Sequence, residues 1–315
     1  MSNKLLIPLF CFIATGCQSI TQPPKTTVID ATYQNIPYTP ALDDQQTFDI
    51  YLPKIQSQNM SSSKIPLVIY IHGGGWKQGA NDKLDIAKTK MGLDNFAKTL
   101  LNNGYAIVSI EYRLLPKYQS PAQIDDVTSA FNYIYSHAQQ YGLDVNRIAV
   151  IGESAGGQLA EYLAVTQGKT KIKANVAFYA PADISKLTTY ANQNPVCHFL
   201  WGTLETLTGK PTNYSFEGEL IGGQPYSPEF IRKAKAISPV YLVSENTPPT
   251  LLLHGDKDCL VPLKHSEVYY QLLQQHHIPS ELVIVKGAGH ADSRFYRSTQ
   301  YLDKVINFLN QYLKP

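Results

Sequence analysis

Short runs of apolar, β-branched and aromatic residues alternate along the chain with longer segments in which apolar residues recur at helical spacing. The short runs predict buried strands at residues 66–71, 106–112, 148–151, 174–179, 250–253 and 281–285. The longer segments predict helices at residues 84–101, 124–138, 155–165, about 263–275 and about 297–312. Strands that alternate with helices and are apolar throughout indicate an α/β fold, with a mostly parallel sheet covered by helices on both faces.

Two stretches depart from this alternation. Residues 33–52 offer one or two antiparallel strands ahead of the parallel ones. Residues from about 185 to 245 carry aromatic residues, Pro, Gly and Asn but no clear strand, and we interpret them as a cap inserted over one end of the sheet. A length of 315 residues allows one domain or two. The pattern favours a single domain over residues 41–315 that contains the cap.

Residues 1–16 predict an export signal. Their apolar run at residues 5–13 is too short to cross a bilayer as a helix, and small residues follow it at 14–16. Small residues directly before Cys17 resemble a bacterial lipoprotein signal, which implies lipidation of Cys17; a plain signal peptide is the alternative. Residues 17–40, rich in Thr, Gln and Pro, predict a tether. We therefore expect an exported lipoprotein of the bacterial cell envelope, which meets the membrane only through its lipid anchor.

Charge and cysteine usage exclude several classes of partner. Lys and Arg number 27 against 25 Asp and Glu, and the resulting net charge of +2 gives no electrostatic reason to expect nucleic acid. The four cysteines form no C-x-x-C pair, so a cysteine-bound metal is not expected. In an exported protein Cys197 and Cys259 are predicted to form a disulfide, and the alternative is two buried free thiols.

The first chemical motif is Gly152-Glu153-Ser154-Ala155-Gly156, at the point where a predicted strand gives way to a predicted helix. A turn this tight forces Ser154 into a strained backbone conformation, and the glycines avoid the clash that a Cβ would cause. The hydroxyl of Ser154 is thereby exposed as a candidate nucleophile. Glu153 is interpreted as a buried structural partner rather than a second base.

The second motif, HGGGW at residues 72–76, also follows a predicted strand. Glycines there let backbone N–H groups face a cavity, where they can hold the negative oxygen of a tetrahedral intermediate. The N–H groups of Gly74, Gly75 and Ala155 are therefore the predicted oxyanion hole. A phosphate-binding loop would need Gly-Lys-Ser or Gly-Lys-Thr, which this stretch does not have. Trp76 is a candidate wall of the substrate pocket.

An acid and a histidine come next in chain order, on loops after two consecutive predicted strands. Residues 254–262 (HGDKDCLVP) contain Asp256 and Asp258, and residues 287–290 (GAGH) end on His290. Of the eight histidines, His290 is the one that follows both the serine and the acid and sits in a short glycine-flanked loop after a strand. The order Ser, Asp, His is typical of a catalytic triad on a parallel sheet. The spacing leaves both aspartates open as the acid.

Together these motifs resemble the α/β-hydrolase superfamily, and within it the esterase and lipase branch related to hormone-sensitive lipase. The resemblance runs from about residue 47 to the C-terminus and is carried by HGGGW, EYRL, PAQIDDV, GESAGG, HGDKDCLVP and GAGH. In the family pattern H-G-x-x-D-x-x-V-P the acid falls on Asp258, with Asp256 as the runner-up. The resemblance also implies that Tyr112, Arg113 and Asp126 are structural and tie the loop after their strand to the next helix.

Within that branch the sequence is similar to bacterial carboxylesterases that include feruloyl and acetyl-xylan esterases. The resemblance implies that Ser154 attacks the carbonyl of a small-molecule ester, that His290 takes its proton and that Asp258 orients the imidazole, with no cofactor or metal. Alternatives are an amidase or arylformamidase with the same triad, and a non-catalytic binding protein on a hydrolase scaffold. The cap matches no lid pattern of the resembling proteins, so the resemblance implies the reaction type but not the particular ester.

Overall fold

The computed structural model describes residues 29–40, 43–54, 64–79, 92–200 and 216–314. Several features predicted from the sequence lie outside the described residues. These are the signal at residues 1–16, the candidate lipidation site Cys17, the first part of the tether, and residues 84–91 of the first predicted helix.

The described strands form one eight-stranded sheet. In chain order they are β1 (Tyr33–Pro37), β2 (Thr47–Tyr51), β3 (Ile65–Ile71), β4 (Ala106–Ile110), β5 (Leu143–Glu153), β6 (Ala174–Phe178), β7 (Thr250–Gly255) and β8 (Ser280–Val285). Their order across the sheet is β1-β2-β4-β3-β5-β6-β7-β8. The pairs that involve β2 are antiparallel and all other pairs are parallel. The predicted mostly parallel sheet is confirmed.

Helices cover both faces of this sheet. They include α1 (Leu93–Asn102), α2 (Ala122–His137), α3 (Ala155–Lys171), α4 (Leu187–Gln193), α5 (Phe216–Ile221), α6 (Pro228–Ala236), α7 (Lys264–Gln275), α8 (Arg294–Arg297) and α9 (Thr299–Leu313). In β3, Leu67, Ile69 and Ile71 pack in the core formed with α2 and α3. Val68 and Tyr70 pack in the core formed with α1 and α9 on the opposite face. Burial on both faces explains why the strands are apolar throughout.

Strand β1 lies within residues 17–40, whose composition predicts a tether. Its backbone pairs with β2, and the N–H of Thr32 donates to the carbonyl of Ile50 at 2.7 Å. The sheet thus begins at Thr32, in agreement with the antiparallel strands predicted at residues 33–52, and the predicted domain start at residue 41 is too late. Any tether ends before Thr32. β1 is a largely exposed edge strand, and its polar residues therefore have the composition of a linker.

The cap at residues 185–245 contains helices where the sequence shows no clear element. α4, α5 and α6 have six to nine residues each, which is too short for a helical period to stand out. The start of α6 does follow local rules, because the side chain of Ser227 accepts a hydrogen bond from the N–H of Phe230 and Pro228 occupies the first helical turn.

Loops at one edge of the sheet bring the motifs together. The parallel strands β3, β5, β7 and β8 all point their carboxyl ends to this edge. HGGGW follows β3, the serine motif follows β5, and the acid and histidine loops follow β7 and β8. Ligand sites of open α/β sheets form at this edge.

Candidate active site

Ser154 occupies a strained turn between β5 and α3, with φ 51° and ψ −122°. Such a backbone conformation costs a residue other than glycine about 1–3 kcal/mol, which the surrounding structure has to offset. The N–H of Ser154 donates to the carbonyl of Phe178 at 2.9 Å and helps to hold it. A Cβ at Gly152 would clash with the carbonyl of Gly156, and a Cβ at Gly156 would clash with the carbonyl of His72. The glycine spacing of the motif therefore has the steric cause that the sequence predicts.

A chain of hydrogen bonds links the predicted nucleophile, histidine and acid. The Nε2 atom of His290 lies 2.9 Å from Oγ of Ser154. The Nδ1 atom of His290 lies 2.7 Å from Oδ2 of Asp258. Both distances are within the range that proton transfer to a general base requires. The loops that follow β5, β7 and β8 thus meet at one place, where the imidazole of His290 is hydrogen-bonded to both Ser154 and Asp258.

Asp258 is held as a buried carboxylate, with a relative exposure of 3%. Its Oδ1 accepts hydrogen bonds from the N–H groups of Leu260 and Val261, each at 2.9 Å. Burial alone would raise the pKa of Asp258, but hydrogen bonds from His254 and His290 outweigh burial and hold that pKa below its usual value. The carboxylate is therefore ionised at neutral pH and can stabilise a protonated imidazole.

Asp256, the alternative acid, has a different partner. Its Oδ1 accepts a hydrogen bond from the N–H of Gly287 at 2.6 Å, which ties the loop after β7 to the loop after β8. The side chain is partly exposed. Of the two aspartates, the structure therefore places Asp258 at the imidazole of His290 and Asp256 between the loops.

The predicted oxyanion donors Gly74 and Gly75 lie in the glycine loop after β3. Gly74 and Gly75 have φ values of 112° and 63°, in the region that favours glycine. The N–H of Gly73 donates to Oε1 of Glu153 at 3.4 Å and fixes the loop beside the nucleophile turn. Among the described residues, no acceptor pairs with the N–H of Gly74 or Gly75. Ala155 is the first residue of α3, so its N–H has no acceptor within the helix.

A cavity of about 310 Å³ opens at Ser154 and His290. Its walls are mainly apolar and include Leu187, Phe216 and Leu260. Trp76, the predicted pocket wall, is among the lining residues, but its side chain is only 2% exposed. The indole N–H of Trp76 donates to the buried Gln158 at 3.2 Å, so most of the Trp76 side chain is packed inside the protein, behind the surface of the cavity.

Several contacts join the cap to the rest of the domain, and two of them reach the loops of the site. Cys197 and Cys259 form a disulfide with a Cα–Cα distance of 5.0 Å, so the two cysteines that the sequence predicts to pair are bonded. Cys259 directly follows Asp258, and the disulfide therefore joins the cap to the acid loop. On the other side, Lys77 of the glycine loop forms an ion pair with Glu219 of α5.

The carboxylate of Glu153 is at the centre of a buried hydrogen-bond network. The serine motif contains Glu153, but its tyrosine partners lie outside the motifs. The carboxylate accepts hydrogen bonds from the hydroxyls of Tyr70, Tyr179 and Tyr296, at 3.1, 2.7 and 3.0 Å. The structural role predicted for Glu153 agrees with these contacts. Tyr179 also lies against His290 and lines the cavity. The sequence does not single out Tyr179, because it ends an apolar run and has the appearance of the last residue of a strand.

Tyr112, Arg113 and Asp126 all make structural contacts, and the pair Arg113–Asp126 joins the loop after β4 to the next helix as the resemblance implies. Asp126 of α2 is buried and pairs with the guanidinium of Arg113, with 2.8 Å between Nη2 and Oδ1. The hydroxyl of Tyr112 donates to the carbonyl of His72 at 2.9 Å. These bonds fix the loop after β4 against α2 and against the start of the glycine loop.

The described residues carry neither a metal-ligand cluster nor a membrane-spanning helix. Within the five described ranges, no group of three or more His, Cys, Asp or Glu side chains is placed to hold a metal ion. In the same part of the chain, no helix is both long and apolar enough to cross a bilayer.

Several known proteins are similar to this chain. Esterase LipC of Mycobacterium tuberculosis is 25% identical over 236 residues, which are 74% of this chain and 53% of LipC. Carboxylesterase NlhH of the same species is 35% identical over 115 residues, which are 36% of this chain and 32% of NlhH. The chain spans about half the length of the curated relatives that it matches first.

Two solved structures have the same fold. A truncated carbohydrate esterase from gut microbiota has a TM-score of 0.69 and 24% identity, with 89% of this chain and 95% of that one covered. A bifunctional GH43-CE protein of Bacteroides eggerthii has a TM-score of 0.70 and 27% identity, with 89% of this chain and 35% of that one covered. The sheet order, the helices on both faces and these neighbours identify the α/β-hydrolase fold.

The match to a family model covers most of the chain. The model is named BD-FAE and aligns with residues 48–273, which include Ser154 and Asp258. His290 lies beyond the aligned range, and the hydrogen bonds described above connect it to the other two residues. On the strength of this match, the chain belongs to the BD-FAE family.

Proposed function

We propose that the protein is a serine carboxylesterase that hydrolyses small-molecule esters through Ser154, His290 and Asp258. The observation that carries the proposal is the unbroken hydrogen-bond chain from Oγ of Ser154 to the buried carboxylate of Asp258. A serine hydroxyl is a weak nucleophile unless an adjacent base takes its proton, and the base needs a third group to orient it. The site supplies both of these groups.

The reaction follows from these positions. Oγ of Ser154 attacks the ester carbonyl while Nε2 of His290 takes the hydroxyl proton, and the alkoxide of the substrate leaves with that proton. The N–H groups of Gly74, Gly75 and Ala155 stabilise the oxyanion, each by about 3 kcal/mol. Water then attacks the acyl-enzyme, with His290 again as the base, and releases the acid and the serine. Asp258 stabilises the imidazolium in both steps.

The size of the cavity and the names of the relatives support a small ester as substrate. Ligand pockets commonly enclose about 300–1,000 Å³, and the cavity at Ser154 lies at the lower end of that range. The similar M. tuberculosis proteins are named an esterase and a carboxylesterase, and the neighbour from gut microbiota is a carbohydrate esterase. No step of the proposed reaction needs a cofactor.

A comparison of matched esters and amides tests the reaction type. We expect the purified protein to cleave p-nitrophenyl acetate with a kcat/KM about 10²-fold or more above that for p-nitroacetanilide, because the phenolate leaves without the protonation that an anilide nitrogen needs. Butyryl, octanoyl and feruloyl esters complete the panel and rank the acyl groups. Equal or faster cleavage of the anilide would favour an amidase instead.

The proposal also includes export and a lipid anchor at Cys17, which lies outside the described residues. The Cys197–Cys259 disulfide supports export, because such bonds persist in oxidising compartments. In a bacterial expression host we expect the full chain to incorporate a radiolabelled fatty acid and the Cys17→Ala variant to incorporate none. Cys11→Ala is the matched control, since Cys11 lies inside the predicted signal. A Cys17→Ala variant that still carries the fatty-acid label would contradict the anchor.

A further inference from the structure

His290 needs more than its two hydrogen bonds to stay in place during the proposed reaction. Its imidazole is bonded to Ser154 on one side and to Asp258 on the other. When Oγ of Ser154 is acylated, it can no longer donate to Nε2, and the bond to Asp258 alone leaves the ring free to turn. Water activation in the second step needs the same imidazole orientation as the first step. Another contact has to preserve that orientation.

The ring of Tyr179 is in the position to do so. Its centroid lies 4.7 Å from that of the His290 imidazole, and the two ring planes meet at 65°. This is the edge-to-face geometry that aromatic pairs favour. Tyr179 is completely buried, and Phe295 packs on it with a centroid distance of 4.9 Å. The contact therefore comes from a side chain that is itself confined.

The backbone of Tyr179 is fixed to the strands that carry the nucleophile and the acid. The carbonyl of Phe178 accepts from the N–H of Ser154 at 2.9 Å, and the N–H of Tyr179 donates to the carbonyl of Leu253 in β7 at 2.8 Å. Tyr179 has a φ of 38°, an unfavourable value for a residue other than glycine, which the surrounding structure maintains. Because its backbone is tied to both strands, Tyr179 holds its ring at a fixed position relative to Ser154 and to the acid loop.

The hydroxyl of Tyr179 fixes the ring from its far end. It donates to Oε2 of Glu153 at 2.7 Å, and it also contacts the hydroxyl of Tyr296. Burial, followed by the nearby Glu153 carboxylate, raises the pKa of Tyr179 well above its usual value, so the hydroxyl remains a donor. Glu153 also accepts from the N–H of Gly73 at 3.4 Å. One carboxylate thus connects the ring at His290 with the oxyanion loop.

We propose that Tyr179 is a positioning residue for His290, with Glu153 as the anchor that fixes its ring. The inference rests on the proposed esterase function and adds a residue to its machinery. It assigns Tyr179 a role in keeping the imidazole aligned after Ser154 is acylated, and no role in proton transfer. Loss of alignment by about 1 Å costs on the order of 10²-fold in rate.

The test compares three variants with the wild-type enzyme on p-nitrophenyl acetate. For Tyr179→Leu, which removes the ring, we expect kcat to fall about 10- to 100-fold with KM raised less than about twofold. Tyr179→Phe keeps the ring and should recover most of the lost kcat. Tyr296→Phe removes a hydroxyl from the same Glu153 oxygen but leaves the ring at His290 unchanged, so its kcat should stay within about twofold of wild type. Thermal melting of each variant checks that it is folded.

A spectroscopic measurement without substrate completes the test. In the Ser154→Ala background, which lacks the bond to Nε2, the proton between Nδ1 of His290 and Asp258 should give a downfield NMR resonance with Tyr179 present and with Tyr296→Phe added, and a broadened or absent one with Tyr179→Leu added. If Tyr179→Leu does not fold, Tyr179→Met, which also lacks the ring but has a longer apolar side chain, takes its place with the same expected loss of kcat. A folded variant without the ring whose kcat stays within about twofold of wild type, or whose KM rises with kcat unchanged, overturns the proposal, and so does a Tyr179→Phe variant that loses as much kcat as the variant without the ring. None of these outcomes depends on whether Ser154→Ala is inactive, which tests the esterase function separately.

Discussion

Ser154→Ala is expected to lower kcat for p-nitrophenyl acetate by about 10⁵- to 10⁶-fold, the size of effect seen when the nucleophile of a comparable triad is removed. The substitution deletes the only atom of Ser154 that bonds to Nε2 of His290. The oxyanion donors and the cavity remain, so a residual rate of about 10³-fold over water is expected from them. Steady-state kinetics at high enzyme concentration measures the difference.

The control for this substitution is Ser136→Ala. Ser136 is exposed near the end of α2, where its hydroxyl bonds to the carbonyl of Asn132. Its removal should leave kcat unchanged, and both variants should melt within a few degrees of the wild type. If Ser154→Ala kept more than about a hundredth of the wild-type rate, the nucleophile would have to be another residue.

Asp258→Asn has the second-largest expected effect, a loss of about 10⁴-fold in kcat. The amide would replace a buried carboxylate that His290 contacts at 2.7 Å. An asparagine cannot stabilise the imidazolium by its charge, and its NH₂ group can select the wrong imidazole tautomer. The pKa of Asp258 is held below its usual value, so this loss should persist across the whole range from mildly acidic to neutral pH.

Asp256→Asn is the matched control, two residues away on the same loop. Asp256 accepts its hydrogen bond from the backbone of Gly287 rather than from the imidazole. We expect a loss of less than about tenfold, through a small shift of the loop that carries His290. A reversal, with Asp256→Asn inactive and Asp258→Asn active, would show that the acid has been assigned to the wrong aspartate.

The parts of the site that are local in sequence could be predicted from sequence. The strained turn at Ser154 follows from the glycines within two residues of it and from the strand and helix that flank it. The same holds for the glycine loop with positive φ values at Gly74 and Gly75. In both cases the constraint is steric and acts between neighbours in the chain.

Contacts between distant segments could not be derived in this way. The choice between Asp256 and Asp258 depends on where a loop 32 residues away places His290. The bond between Tyr296 and Glu153 spans 143 residues, and nothing near either residue in the sequence indicates it. The cap shows the same limit, because its short helices are held by the Cys197–Cys259 disulfide and other tertiary contacts rather than by a long periodic pattern.

Covalent labelling with a fluorophosphonate tests the central claim most directly, because the probe reacts with a serine only when an adjacent base activates it. After incubation, intact mass spectrometry and peptide mapping of the wild-type protein and of Ser154→Ala give the number and the place of adducts. We predict one adduct per wild-type chain, on the peptide that contains Ser154, and none on the variant. Absence of an adduct from the wild-type protein, or an adduct on a different residue in both proteins, would contradict the assignment of Ser154 as the nucleophile.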